Sequence, residues 1–257
     1  TVGRQSEIEE LRARLNRGET GALLLRANYG TGKTHMLRYI QEEALDCGYV
    51  VSLVTLDAYG EVRFSQMDQI MGAVVRQLQV AREAEASGLQ DLFDAACERI
   101  KEESRLPDHG FWYSAVLENR WETSHKFGAY STFVALRSWY FSQDQSVRNR
   151  VIDWLTQPWQ YKTQGPVIYK ELIERQVELF HEQKSFDQLK EGGVFDFKQR
   201  GYQWSWDTLK DVQRITVESG FKGLILLFDE FESTVTDLRT RKPSQDAFQN
   251  LFDFFGG

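Results

Sequence analysis

The amino-acid sequence predicts an α/β fold built on a parallel sheet. An apolar run at residues 22–25 is followed by a glycine-rich loop, a helical pattern at residues 32–45 and a β-branched and aromatic run at residues 49–56. A strand–loop–helix–strand order of this kind needs a crossover connection, which joins parallel strands. A further apolar run, residues 223–228, has the composition of a parallel strand buried on both faces.

Composition excludes several classes of protein. The 257 residues carry 31 Lys and Arg against 38 Asp and Glu, a net charge of −7, and 41% are hydrophobic, which is typical of a globular chain with its own core. The longest apolar run, residues 224–228, is too short to cross a bilayer, and residues 1–5 lack a secretion signal. Cys47 and Cys97 have no metal or redox spacing, so the expected compartment is the cytoplasm. Net acidity argues against nonspecific coating of nucleic acid.

Helical signals surround the predicted strands in the N-terminal part. Ser6 and Glu9 form a capping-box pattern that opens a first helix, which Gly18 is expected to end. Residues 65–80 also have helical spacing. We therefore assign residues 1–88 to the first part of a sheet-containing domain.

The middle of the chain, residues 89–204, contains no convincing strand and is predicted to be an all-helical insertion. All seven tryptophans lie between positions 112 and 206. Helical patterns occur at residues 112–121, 130–141, 147–155 and 167–181. Residues 205–257 return to the sheet domain, with a helix at 206–218, the strand 223–228 and a last helix that Ser244 is expected to cap.

The strongest motif is a phosphate-binding loop at residues 27–34, Ala-Asn-Tyr-Gly-Thr-Gly-Lys-Thr, with alanine at its first position. Gly30 and Gly32 allow backbone N–H groups to turn toward phosphate oxygens. Lys33 is expected to reach the β and γ phosphates, and Thr34 to bind Mg²⁺. The alternative interpretation is an ordinary glycine-rich turn between a strand and a helix.

A pair of carboxylates follows the apolar strand 223–228, which is the Walker B pattern. Asp229 is expected at the carboxyl end of the strand, where open α/β sheets bind ligands, and it is predicted to hold Mg²⁺. Glu230 is placed to polarise an attacking water. Glu232 is interpreted as a surface carboxylate. The alternative is a strand that simply ends in solvated acidic residues.

These motifs resemble the ASCE division of P-loop ATPases, near the AAA+ and STAND proteins. Residues 27–37, 153–155 and 219–232 are similar to the ATP-binding domain proteins of BREX phage-defence systems. The likeness covers residues 1–80 and 205–257 and is thin between them. It implies a three-layer P-loop NTPase core. Lys33 and Asp229 are 196 positions apart, more than a compact core of this kind needs, so the helical insertion is expected between the second strand and the Walker B strand. It also implies that the Val-Gly-Arg segment near the N-terminus lies close to adenine.

The resulting site combines the motifs with the resemblance. The predicted nucleotide contacts are Val2, Gly3, Arg4, Asn28, Tyr29, Gly30, Thr31, Gly32, Lys33, Thr34 and His35. Thr34 and Asp229 are the predicted metal ligands, and Glu230 and Lys33 the predicted catalytic residues. The cofactors implied are ATP and Mg²⁺.

The function implied is that of an Mg²⁺-dependent ATPase that drives movement or assembly of a partner or of nucleic acid in phage defence. The implied partners are other subunits of a defence or remodelling complex, DNA, or a second copy of the chain. One alternative is a nucleotide-gated interaction module with little turnover, and a weaker one is a P-loop kinase. Another is a DNA-engaging module, with Arg137, Arg148, Arg150 and Lys162 among the aromatic residues. Tryptophans at helical spacing favour instead a core of their own.

The ASCE order also requires a strand after the Walker B carboxylates, lying between the Walker B strand and the P-loop strand. No such strand is predicted between Glu230 and Gly257. We therefore expect the core to be incomplete at its C-terminal end, the sensor residue and the arginine finger to come from elsewhere, and hydrolysis by this chain alone to be weak.

Overall fold

The computed structural model describes residues 5–25, 32–57, 62–82, 88–105, 127–157, 201–233 and 241–255. Within these ranges lie eight α-helices, one 3₁₀ turn and one three-stranded sheet. The helices are α1 (Gln5–Arg17), α2 (Lys33–Asp46), α3 (Met67–Arg76), α4 (Gly88–Glu103), α5 (Tyr130–Phe141), α6 (Gln145–Thr156), α7 (Gly201–Glu218) and α8 (Arg241–Phe255). The strands are β1 (Val50–Thr55), β2 (Leu78–Gln79) and β3 (Leu224–Asp229), and the 3₁₀ turn is Phe231–Ser233.

The sheet has the strand order β2-β1-β3. β1 pairs in parallel with β3 along six residues, from Val50 opposite Leu224 to Thr55 opposite Asp229. The two-residue β2 pairs antiparallel with β1 on the other side. The predicted α/β fold is therefore confirmed, and the strands predicted at residues 49–56 and 223–228 are observed with ends that differ by one residue. The assignment to a P-loop core stays a prediction.

The predicted strand at residues 22–25 is wrong. These residues form neither a helix nor a strand, and the side chains of Leu23 and Leu24 are 51% and 60% exposed. A strand exists only where a neighbour accepts its hydrogen bonds, and none of the three described strands pairs with this run. The apolar composition of the run therefore misled the prediction, and the parallel neighbour of β1 is β3.

Several predicted helices are confirmed, with small differences at their ends. The predicted helix 130–141 coincides with α5, and Gly18 follows α1 in the left-handed conformation. Ser6, however, lies inside α1 and donates its hydroxyl to Glu7 (3.2 Å), so it is not the predicted cap. Helix α8 likewise begins before Ser244. The predicted helices at 112–121 and 167–181 lie outside the described residues.

One predicted helix ends earlier in the structure than the sequence pattern indicates. The pattern at residues 65–80 divides into α3 and the short strand β2, because the chain turns at Gln77 and then pairs with β1.

None of the described helices is both long and apolar enough to span a membrane.

Helices pack against both faces of the sheet because side chains alternate along its strands. On one face, Val51 and Leu227 are buried together with α1 and α2. On the other face, Val50 and Val54 belong to a larger hydrophobic cluster that includes α3 to α7. Ser52 faces this second side and donates its hydroxyl to the carbonyl oxygen of Val74 in α3 (2.9 Å).

The helical middle of the chain shares this larger cluster. Trp139 and Trp154 are each 1% exposed and pack in one continuous core with α3 and α7. The indole N–H of Trp139 donates to Asp94 (2.8 Å), and the Arg148 guanidinium lies 4.6 Å from the centre of its ring. These two tryptophans are core residues, and their faces are not available for stacking on bases. The domain boundaries at 88/89 and 204/205 stay predictions.

A buried carboxylate anchors the start of α5 to α7. Asp211 is 1% exposed and accepts hydrogen bonds from the backbone N–H groups of Gly128 and Ala129, both at 2.8 Å. Burial raises the pKa of Asp211 to about 6, although the two backbone donors act in the opposite direction. The carboxylate supplies partners for two N–H groups that precede the first hydrogen-bonded turn of the helix.

Replacing this carboxylate is expected to destabilise the fold. Asp211→Ala leaves the N–H groups of Gly128 and Ala129 without their acceptor, at a cost of about 2–4 kcal/mol in the free energy of unfolding. Urea unfolding followed by circular dichroism measures this difference. Gln213→Ala, at an exposed position of the same helix, is the control and is expected to change stability little. Equal stability of the two variants would contradict the anchoring role.

Candidate functional site

The N-terminus of α2 meets the chain that leaves β3. α2 begins at Lys33, directly after Gly32, whose φ of 81° is left-handed and suits glycine. The 3₁₀ turn that follows β3 contains Glu232. The Lys33 Nζ lies 2.5 Å from the Glu232 Oε1, although 199 positions separate the two residues. The fold therefore brings a cation from the predicted phosphate loop to the acidic end of the predicted Walker B strand.

Three carboxylates act on this one ammonium group. The hydrogen bond to Glu232 raises the pKa of Lys33 most, and the charges of Glu232, Glu230 and Asp229 raise it further. In return, the hydrogen bond from Lys33 lowers the pKa of Glu232. Both groups are therefore charged at neutral pH. The site has more negative than positive side chains, and an additional cation would be attracted to it.

Asp229 and Glu230 lie in different backbone environments. Asp229 is the last residue of β3, is 7% exposed, and accepts a hydrogen bond from the backbone N–H of Glu230 through Oδ1 (2.9 Å). Glu230 has a φ of 55°, the left-handed region that a residue with a side chain rarely adopts. Strand alternation therefore ends at Asp229, and it is a sharp turn that separates the two carboxylates. Strained residues of this kind occur often at functional sites.

The other predicted nucleotide contacts are only partly within the described residues. Thr34 and His35 are exposed in the first turn of α2. The predicted contacts that lie outside the described residues are Val2, Gly3, Arg4, Asn28, Tyr29, Gly30 and Thr31. Of the predicted site residues within the described ranges, Lys33 lies near enough to Asp229 and Glu230 for their charges to act on its ammonium group.

The donor set suits magnesium. Among the described residues, no group of three or more His, Cys, Asp or Glu side chains is close enough to hold a metal by itself. Asp229 and Thr34 offer a carboxylate and a hydroxyl, which are the oxygen donors that Mg²⁺ prefers. Mg²⁺ commonly takes only one or two ligands from the protein and the others from water and phosphate, so the chemistry of these two predicted ligands fits it.

The contact of Glu232 with this site was not predicted from the sequence. Glu232 was expected to be a surface carboxylate, and its side chain is indeed 53% exposed. Its partner, however, is the lysine of the phosphate loop. The signal available in the sequence was the third carboxylate in the run Asp-Glu-Phe-Glu at positions 229–232. A 3₁₀ turn can bring such a residue back toward the end of the strand, but no pattern in the sequence predicted this turn.

A family comparison adds to this geometry. The family model described as BREX system ATP-binding protein BrxC/D matches residues 1–165. The chain belongs to this family. The resemblance seen in residues 27–37 and 153–155 is thereby confirmed. The match to the BREX family also includes helices α4 to α6, where the likeness was expected to be thin, and it ends before β3. No curated protein and no solved structure matches the chain significantly.

The left-handed turn at Glu230 is expected to reverse the usual order of alanine and glycine. Glu230→Gly should be more stable than Glu230→Ala by about 1 kcal/mol, because glycine adopts positive φ without the steric cost that alanine incurs. Urea unfolding of both variants measures the difference. At Glu98, an exposed helical position in α4, the alanine variant should be the more stable one. The same order at both positions would contradict a left-handed Glu230.

Proposed function

We propose that this chain binds ATP at the junction of α2 and β3 and hydrolyses it with the help of Mg²⁺, as a component of BREX phage defence. The observation that carries the proposal is the approach of Lys33 to the carboxylates that follow β3. Membership of the BREX ATP-binding family supports the nucleotide and the biological setting.

The start of α2 has the properties that a phosphate group requires. The first turn contains Lys33 and carries no acidic residue. The free N–H groups and the dipole of a helix N-terminus favour anions, and a lysine beside them adds a full positive charge. Gly32, in its left-handed conformation, leads the chain into the helix. In the proposal, Lys33 binds the β and γ phosphates while the backbone of the loop before it surrounds them.

The acidic side of the site would hold the metal. Asp229, at the end of β3, and Thr34, in the first turn of α2, are the proposed ligands. Bound Mg²⁺ would neutralise charge on the phosphate oxygens. The buried carboxylate of Asp229 is held by the backbone N–H of Glu230, so its position is fixed before a ligand arrives.

Glu230 is the proposed general base. Its side chain is exposed, and the turn at its φ of 55° separates it from the buried carboxylate of Asp229. This division suits two roles, with one carboxylate fixed at the metal and the other free to orient a water beside the γ phosphate. In the proposal, the energy of hydrolysis drives movement or assembly of partner subunits.

Removing the Lys33 ammonium is expected to weaken ATP binding strongly. Lys33→Ala should weaken the affinity by about 100-fold, because a charged hydrogen-bond donor to phosphate is lost, while the fold persists. Isothermal titration calorimetry with Mg-ATP measures the affinity. Lys210→Ala, which removes the same charge from an exposed position in α7, is the control and should bind as the parent does. Unchanged affinity in folded Lys33→Ala would overturn the site.

The two carboxylates after β3 are expected to differ in their effects. Glu230→Gln should keep the affinity for Mg-ATP but lower turnover by about 10²- to 10⁴-fold, because an amide cannot take a proton. Asp229→Asn should weaken binding only when Mg²⁺ is present. Calorimetry with and without EDTA and a phosphate-release assay on the full-length protein separate these effects. Parental turnover by Glu230→Gln would remove Glu230 from the mechanism and favour a nucleotide-gated module.

A further inference from the structure

We infer that Glu232 occupies the position of a nucleotide phosphate on Lys33, and that this internal carboxylate competes with nucleoside triphosphates for the site. The inference rests on the proposed function and adds a residue that limits its affinity. It differs from the roles proposed for Asp229 and Glu230, because Glu232 would have to leave Lys33 when ATP binds.

The ion pair between Lys33 and Glu232 is short and accessible to solvent, as a contact with a bound ligand would be. Glu232 Oε1 lies 2.5 Å from Lys33 Nζ, and the two side chains are 53% and 26% exposed. Solvent and an incoming anion can therefore reach the pair, unlike a buried salt bridge. Of the three nearby carboxylates, Glu232 is the one that makes the hydrogen bond, whereas Glu230 and Asp229 act on Lys33 through their charge.

A phosphate and a carboxylate offer an ammonium group the same kind of partner, an anionic oxygen acceptor. A phosphate would bind more strongly than the carboxylate, since the backbone N–H groups at the start of α2 would bind it as well. Glu232 nevertheless opposes binding in two ways. Its ion pair with Lys33 must break, and its negative charge would repel the phosphates if the carboxylate stayed in place.

The position of Glu232 lets it move without disturbing the sheet. It lies in the short 3₁₀ turn Phe231–Ser233, beyond the last residue of β3. The turn is tied to the fold by Phe231, whose ring packs edge-on against Phe64 at 5.2 Å between centroids. A change of side-chain rotamer at Glu232 therefore releases Lys33 while the neighbouring backbone stays anchored.

Neutralising this carboxylate provides the test. Glu232→Gln keeps the length of the side chain but removes its charge, so it should bind Mg-ATP about two- to fivefold more tightly than the parent, the range expected for an exposed ion pair. Glu98→Gln, an exposed carboxylate in α4, makes the same change in net charge and should leave the affinity unchanged. Lys33→Ala/Glu232→Gln should bind no more tightly than Lys33→Ala, because the competition acts through Lys33.

Calorimetric titration of these variants at one ionic strength separates the possible failures. If the parent binds ATP and Glu232→Gln binds equally or more weakly, the inference is overturned while the proposed ATP site stands. An equal gain in Glu98→Gln, or a gain that persists without Lys33, overturns it as well, since overall charge then explains the effect. If neither the parent nor Glu232→Gln binds ATP, both the proposed function and the inference fail. Binding by Glu232→Gln alone would support both.

Discussion

Six residues of β1 pair in parallel with six residues of β3, and the candidate site exists because of this pairing. It joins the N-terminal part of the chain to a strand that begins at Leu224. Closing so long a connection costs conformational entropy, although that cost rises only slowly with length. Packing of apolar side chains on both faces of the pair offsets it, although most residues of β3 are only partly buried. The register places Asp229 opposite Thr55, and the N–H of Leu56 donates to the carbonyl oxygen of Asp229 at 3.0 Å. These contacts fix the position of the acidic end of β3 along β1.

A group of aromatic rings connects the site to the helices on the far side of the sheet. Phe231, next to Glu232, packs on Phe64, and Phe64 contacts Phe228 and Phe254 in turn. Phe254, in α8, packs on Trp206, in α7, at 4.4 Å between centroids. The 3₁₀ turn Phe231–Ser233 is therefore connected through these rings to α7. Asp211 joins α7 in turn to the start of α5. In the described residues, continuous side-chain packing therefore joins the site to the helical middle of the chain.

Local patterns in the sequence predicted the elements that depend on local physics. The spacing of apolar residues located α5 and α6, and the β-branched run located β1. The predicted strand at residues 22–25 was wrong because a strand requires a pairing partner, and four apolar residues do not specify which segment that partner would be. At the site, Lys33, Asp229 and Glu230 were found by their motifs. Glu232 was missed because its meaning depends on a contact 199 positions away.

The two layers of helices are unequal in size. Among the described residues, nine buried side chains form the hydrophobic cluster on the α1 and α2 face, against thirty-three in the cluster on the opposite face. The smaller layer therefore costs less free energy to open locally, and its amide protons should exchange with solvent sooner than those of α3 to α7. This thinner layer is the one that carries Lys33. A ligand that joins Lys33 to the end of β3 would link this thinner layer to the sheet and, through the sheet, to the larger cluster.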